Sequence, residues 1–461
     1  MSKEVSKENA QEVMREGEGQ RRYGLFTAIT MIVGIVIGSG IFFKTDDILG
    51  HTGGSIWLGI LVFTIAAISI IFGSLSISNL AMFTDRTGGA MTYAEEFISK
   101  RFGSAFGWFQ TLVYLPTLTV VISWVFGIYF CQLFDIDGGL GLQVLIGIIW
   151  SIICFGYNIV APKLGGFFQN ASTVIKIIPL AVIAIAGMIF GNPSGALADT
   201  GTAVSSAGWV AAIGPIAFSF DGWIISTTIS HEVKDAKKNM PKALVIAPIF
   251  VLICYLVYFV GVSAYLGPDK VMKLGDASAA EMARQIFKSD FAAKALITFV
   301  TISIMGTVNG IIIGIVRMPY ALATRHMLPG SSWIGKMNEK YQMPVNSGFF
   351  AMGICAIWWA IHYFTMKYKL LANADISEIS IVMCYVLFIM LYYKVFAFWR
   401  EGKIKGIARG VVFPLLATIG AGFIIYGGLQ NPYFFIFVAV SLLVVAVGYF
   451  YKPSGAGEIV A

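Results

Sequence analysis

Twelve runs of apolar residues punctuate the chain, and a run of about 18 or more such residues is long enough to cross a lipid bilayer as a helix. They fall near 25–49, 56–83, 104–134, 140–160, 167–190, 209–230, 243–266, 295–323, 347–366, 378–398, 410–428 and 433–451. In hydrocarbon each spanning segment must satisfy its own backbone N–H and C=O groups, which commits such a sequence to an all-α polytopic membrane protein. Composition agrees, because 57% of the 461 residues are hydrophobic and 12% charged, with mean hydropathy +0.79, far from the balance of a soluble globule. Residues 1–23 are polar and of mixed charge, so the first run begins too late and continues too long for a cleaved signal peptide; it reads as a retained transmembrane helix.

An even number of crossings places both termini on one side, and the basic residues indicate which. Arg15, Arg21, Arg22, Arg86, Lys100 and Arg101 lie in the N-terminal tail and in the connection after the second run. Lys163, Lys234, Lys237, Lys238, Lys242, Arg325, Lys336, Lys340, Arg400, Lys403, Lys405, Arg409 and Lys452 follow in alternate connections on the same side, against a mixed-charge loop near Lys270 to Lys294 on the other. By the positive-inside rule both termini are expected in the cytoplasm of a multi-pass cell-membrane protein. The net charge of +7 is explained the same way, and no basic cluster is interleaved with exposed aromatics as nucleic-acid binding requires. Cys131, Cys154, Cys254, Cys355 and Cys384 sit in apolar runs without ligand spacing and read as small buried hydrophobes. His51, His326 and His362 have no ligand-spaced neighbours, and no HExxH, GxSxG, phosphate-loop or nucleotide fingerprint anchors catalysis. Neither a metal, a cofactor nor an enzymatic activity is expected.

Two apolar runs carry polar interruptions at membrane depth. The first contains "GIVIGSGIFF", with Gly34, Gly38, Ser39 and Gly40; the sixth contains "FSFDGW", with Phe218, Ser219, Asp221 and Gly222. Glycines in membrane helices also serve close packing, and a buried aspartate also serves as partner to a nearby lysine. An ionisable residue at the centre of a spanning helix nevertheless costs about 2.5–3.5 kcal/mol on insertion scales, which favours a functional reason for Asp221. Breaks five spans apart fall in segments of opposite orientation. Spans one to five and six to ten then read as inverted copies with two further spans behind, a 5+5 arrangement whose discontinuous first helices meet at the midplane. The boundaries expected are a tail at 1–23, repeats at 24–191 and 208–400, helices 11 and 12 at 408–451, and a tail at 452–461.

An interrupted helix has chemistry to offer. The half-helix that begins after Gly38, Ser39 and Gly40 presents free N–H groups and a positive dipole end to a carboxylate, whereas the halves that end near Val36 and Phe218 present free C=O groups to an ammonium. An α-amino acid zwitterion carries both charges a few ångströms apart. In span five, Gln169, Ser172 and Lys176 share one helix face. An ammonium there could replace a bound sodium ion between spans one and eight, near Thr301, Ser303 or Thr307; the alternative is a lysine that snorkels to the interface.

At these residues the chain resembles the amino acid, polyamine and organocation superfamily, and within it the L-type amino acid transporter branch. The likeness extends through "HEVKDAKKNMPKA", "GGFFQNASTVIKIIPL" and "VNGIIIGIVRMPYALATRHMLP" and covers nearly the whole chain. Bacterial serine/threonine and alanine/serine/cysteine exchangers are the look-alikes. The resemblance implies a leucine-transporter-like fold of twelve helices working by alternating access as an amino-acid exchanger. It places carboxylate-binding amides on Ser39 and Gly40, ammonium-binding carbonyls on Val36, Phe218, Ser219 and Asp221, a gating aromatic on Phe218 and a functional lysine on Lys176. Such a lysine implies sodium independence. The loop "FDIDGGLGL" lacks the cysteine by which eukaryotic relatives join a glycoprotein, so no disulfide-linked subunit is expected. Asp221 stands where many carriers of large neutral amino acids have glycine, which points to a smaller or more polar pocket.

Other polar positions leave alternatives open. Gln110, Tyr114 and Thr117 flank Pro116 on one face of span three and suit either the pocket or an interhelical seam. Arg317 and Asn309 in span eight suit a gate or, preferentially, the inner interface, and His231 and Glu232 read as the charged end of span six. The rival functions are a proton-coupled symporter of the same fold, a sensor that binds amino acid without moving it, and a membrane-embedded enzyme. A sensor would carry a soluble domain and an enzyme paired catalytic groups near one interface.

Overall fold

A computed structural model describes residues 23–38, 40–43, 45–198, 208–370, 375–429 and 433–452. Ser39, and the expected tails apart from Tyr23 and Lys452, lie outside the described residues. The principal helices are α1 (Leu25–Val36), α2 (Ile56–Ala81), α3 (Lys100–Leu133), α4 (Leu140–Val160), α5 (Pro162–Phe190) and α6 (Ile213–Phe220). They continue with α7 (Ala236–Leu266), α8 (Asp290–Ala323), α9 (Val345–Lys367), α10 (Glu378–Arg400), α11 (Ala408–Gly428) and α12 (Phe434–Phe450). Among the described residues, nine helices are long and apolar enough to cross a membrane; α1, α6 and α12 are shorter. The protein is an all-α polytopic membrane protein.

The helix ends follow local chemistry. Ser55 caps α2 by accepting from Leu58 N at 3.4 Å, and Ser99 caps α3 by accepting from Phe102 N at 3.1 Å. Pro162 opens α5, where its missing N–H removes nothing from the helix. At two prolines within helices, neighbouring side chains bond the adjacent backbone. Pro116 gives no N–H to the carbonyl of Leu112, which instead accepts the indole N–H of Trp358 from α9 at 2.6 Å. Near Pro319 in α8, Ser347 of α9 donates to Val316 O at 2.6 Å and accepts from Tyr320 N at 2.9 Å.

Helices α3 and α8 are the most enclosed of the long helices and pack on each other, as do α2 and α7. Short α1 lies against α5, α7 and α8, buried from Thr30 to Val36. Helices α4 and α9 turn most of their surface outward, with Ile149, Ile152, Ile153, Phe349, Ile357 and Phe364 exposed as bilayer-facing residues should be. The start of α1, the start of α5 and the end of α8 share one end of the bundle, the Tyr23 face.

The opposite face is more structured than its sequence indicates. The mixed-charge loop near residues 267–293 holds two helices, Pro268–Leu274 and Ser278–Phe287. Arg284 there pairs with Glu281 at 2.7 Å and Asp290 at 2.8 Å, while Lys294 reaches Asp135 at 2.8 Å. The run near 25–49 also divides, with a separate helix over Thr45–His51.

Candidate functional site

The first interruption lies in the core. Helix α1 ends at Val36, Ile37 N still bonds Val33 O at 2.8 Å, and a new turn begins at Gly40. Both glycines sit where a side chain has no room. A Cβ on Gly38 would lie 2.9 Å from Thr307 Oγ1, and one on Gly40 would lie 2.9 Å from the Cα of Ser219. Close packing and helix breaking, which the sequence left as alternatives, are therefore combined in one stretch.

The second interruption faces it. Helix α6 ends at Phe220, and Gly222 turns the chain in the left-handed region at φ 91°. A ten-residue 3-10 helix then runs from Trp223 to Glu232. That is unusually long for this tight geometry. The run of hydroxyls explains it in part: Ser226, Thr227, Thr228 and Ser230 each donate to the carbonyl three residues back, at 2.6–3.1 Å. The side chain of Phe218 is outside the described residues.

One tyrosine joins the two breaks. The hydroxyl of Tyr255, in α7, lies 2.8 Å from both Val36 O and Ser219 O, carbonyls in the last turns of the two half-helices. Its single proton is shared between them, and each carbonyl keeps a lone pair for a second donor. Tyr255 was not legible as a site residue, because its helix is continuously apolar and contains Tyr258 and Tyr265 besides.

Lys176 is wholly buried and does not snorkel. Its Nζ donates to Gly34 O at 2.7 Å, to Ile37 O at 2.7 Å and to Thr307 Oγ1 at 3.2 Å. Three acceptors match the three protons of an ammonium, and they span α1 and α8. Ser303 Oγ also approaches Ile37 O at 3.4 Å, whereas Thr301 bonds Ile297 O at 2.8 Å within its own helix. Gln169 is not a partner of Lys176; its Oε1 accepts from Asn309 Nδ2 at 2.8 Å.

Between the breaks lies a cavity of about 20 Å³, lined on its polar side by Gly38, Gly40, Ser219, Asp221 and Thr307. Ile35, Leu118, Ile122 and Ile311 form its apolar wall. That space holds about one water, so a larger occupant enters only when the half-helices separate. Leu118 and Ile122 could not be singled out among the aliphatic residues of α3.

Asp221 is held by Tyr114, whose hydroxyl donates to Oδ2 at 2.7 Å. Tyr114 ends a π-helical turn, Gln110–Tyr114, just before Pro116. A π turn inserts one residue into the ladder and re-aims the side chains that follow, a device common at functional sites. The α3 triplet thus divides. Tyr114 belongs to the cavity through Asp221, Thr117 pairs with Ser380 of α10 at 3.0 Å as an interhelical seam, and Gln110 is buried apart from both.

Arg317 and Asn309, which the sequence left between a gate and the inner interface, are both enclosed by the bundle. Asn309 is fully buried and makes four bonds, donating to Gln169 and Gly165 and accepting from Tyr157 and Asn158. Arg317 is 2% exposed and forms a buried ion pair with Glu232, itself 4% exposed. The backbone of Tyr23 is strapped to the same place, its N–H donating to Glu232 O at 3.0 Å and its carbonyl accepting from Lys234 N at 2.8 Å. This contact ties α1, the 3-10 segment and α8 together on the Tyr23 face. All five cysteines are free.

A family model described as amino acid permease matches residues 23–456. The serine/threonine exchanger SteT of Bacillus subtilis (strain 168) is 28% identical over 411 residues, which is 88% of this chain and 90% of that protein. The human b(0,+)-type amino acid transporter 1 is 25% identical over 328 residues, 68% of this chain and 65% of that protein. The human cystine/glutamate transporter is 24% identical over 324 residues, 67% of this chain and 62% of that protein.

Proposed function

Since the chain belongs to the amino acid permease family, within the amino acid, polyamine and organocation superfamily, and is thus a secondary amino-acid transporter rather than an enzyme, we propose that it exchanges small neutral L-amino acids without sodium. The observation that carries this reading is the meeting of two interrupted helices whose last-turn carbonyls, at Val36 and Ser219, lie within reach of one hydroxyl. In that arrangement Gly40, with Ser39, offers amides to the carboxylate, and Val36, Phe218, Ser219 and Asp221 offer carbonyls to the ammonium. Phe218 is the gating aromatic.

The architecture proposed is a twelve-helix bundle with α1–α5 and α6–α10 as inverted repeats and α1 and α6 discontinuous. An inverted repeat relates α2 to α7 and α3 to α8, and both pairs are in mutual contact. Alternating access then moves the paired repeats about the cavity. The basic connections assign the Tyr23 face to the cytoplasm of the cell membrane, which makes the Arg317–Glu232 pair part of the inner closure.

Sodium independence is supported by Lys176, whose ammonium takes carbonyls of the α1 break and a hydroxyl of α8 that would otherwise suit a cation. Small substrates are supported by Asp221, which lines the cavity and fills space that glycine would leave. A relative named as a serine/threonine exchanger is in keeping with both.

Asp221 also supports a second reading. A carboxyl group buried at the cavity and bonded to Tyr114 is a place where a proton could travel with substrate. The test is trans-stimulation in proteoliposomes. With exchange, unlabelled alanine or serine inside raises uptake of the labelled amino acid several-fold, with or without sodium. Uptake indifferent to internal amino acid but driven by an imposed pH gradient would replace exchange with proton symport.

A further inference from the structure

Away from the cavity, where α2 ends and α7 and α11 begin on the Tyr23 face, an open groove of about 430 Å³ runs along the outside of the bundle. Its floor is apolar: Leu75, Met82, Val245, Ile246 and Phe413 line it, with Met82 39% and Ile246 47% exposed. Two cations stand in its wall, Lys242 at the start of α7 and Arg409 at the start of α11, both exposed. Arg409 is carried on a π-helical turn, Ala408–Val412, whose next residue but one is Pro414. No carboxylate lines the groove. Among the described residues neither cation has an ion-pair partner, although other basic residues of the same face do, as Arg86 with Glu96 and Lys403 with Glu401. The neighbouring polar side chains Ser78 and Asn79 donate back to Leu75 O at 2.7 and 2.9 Å, so they add no negative charge.

An apolar trough that opens toward the bilayer and carries two unpaired cations at helix ends matches one class of molecule in shape and charge. We propose that this groove binds an anionic phospholipid, with the phosphate between Lys242 and Arg409 and an acyl chain along Ile246 and Phe413. Helix-end cations at membrane level attract anionic headgroups, whereas a zwitterionic lipid brings its own ammonium and gains little from them. Such a lipid would brace α2 and α7 against α11 on the bundle's outer surface.

Native mass spectrometry of the detergent-purified full chain tests this directly, with phosphatidylglycerol or phosphatidylcholine of matched chains added in turn. Wild type is expected to retain phosphatidylglycerol over phosphatidylcholine. The Lys242→Gln, Arg409→Gln double variant should lose that preference, with affinity for phosphatidylglycerol lowered on the order of ten-fold or more. Ile246→Trp keeps both cations but fills the trough, and should lose the lipid as well. Lys163→Gln, a cation of the same face outside the groove, should retain it. Equal retention by the double variant, or by Ile246→Trp, would reduce the effect to diffuse surface charge and overturn the site. A dimer mass in wild type that disappears in Ile246→Trp would assign the groove to a second copy of the chain and overturn it equally.

Discussion

Replacing Gly40 with valine should abolish amino-acid uptake in proteoliposomes while leaving the protein inserted and monodisperse. The Cβ that any other residue adds at this position falls 2.9 Å from the Cα of Ser219 and 3.0 Å from its Oγ. The nearer atom is backbone, so no rotamer change relieves the clash; the α1 break must move away from α6. That motion separates the amide of Gly40 from the carbonyls it works with. A ligand carboxylate held by such an amide makes a charge-assisted bond worth about 1.5–3 kcal/mol, or roughly ten-fold to a hundred-fold in affinity. An amino-acid methyl ester, which lacks the carboxylate, should therefore compete poorly against labelled substrate, and Ser39→Ala should be mild because the proposed binding mode uses only its backbone. Wild-type uptake by Gly40→Val, or strong competition by the ester, would show that the carboxylate lies elsewhere.

How far such a site can be read from sequence depends on whether a residue is unusual for its surroundings. Twelve apolar runs are legible because bilayer thickness sets a minimum length, and among the described residues nine helices meet it in full. Asp221 and Lys176 are legible because hydrocarbon penalises an ionisable side chain, and Gly38, Gly40 and Gly222 because they cluster with polar residues in two matching runs. Tyr255, Leu118, Ile122 and Ile311 are not, since an aromatic or aliphatic residue in a membrane helix violates nothing. Only the crossing of helices brings the three aliphatic residues to the cavity and Tyr255 to the two breaks.

The pairing of charges near helix ends is illegible for a related reason. Glu232 and Arg317 are each ordinary at an interface, and sequence alone does not place them opposite one another in the interior. Once paired, they are held by mutual need, because a buried ion stripped of its partner is strongly destabilising. The helices within 267–293 escaped notice because their few apolar positions, such as Val271, Ala279 and Met282, are buried only against the bundle's far face. Periodicity over seven to ten residues is too short to register that.

Lys176→Ala should insert and fold, yet transport slowly and with altered affinity on the two faces of the membrane. In this structure the ammonium donates to Gly34 O and Ile37 O, one on each side of the point where α1 ends, and to Thr307 on α8. It therefore fixes the position of the break relative to α8, and any opening that carries α1 away from α8 must give up at least one of these bonds. A residue shifts a conformational equilibrium only by its differential interaction with the two states. One charge-assisted bond made in one state and lost in the other is worth roughly 1.5–3 kcal/mol. That is about ten-fold or more in population, so apparent affinity should move in opposite directions for substrate offered from the two sides. Alanine also leaves a void, and Lys176→Met separates the causes: it restores volume without charge, so an effect of packing alone would be largely rescued. Affinities measured from each side in oriented vesicles decide the matter. If both values and the turnover of Lys176→Ala equal those of wild type, the lysine is a structural filler and the bridge between α1 and α8 has no part in the cycle.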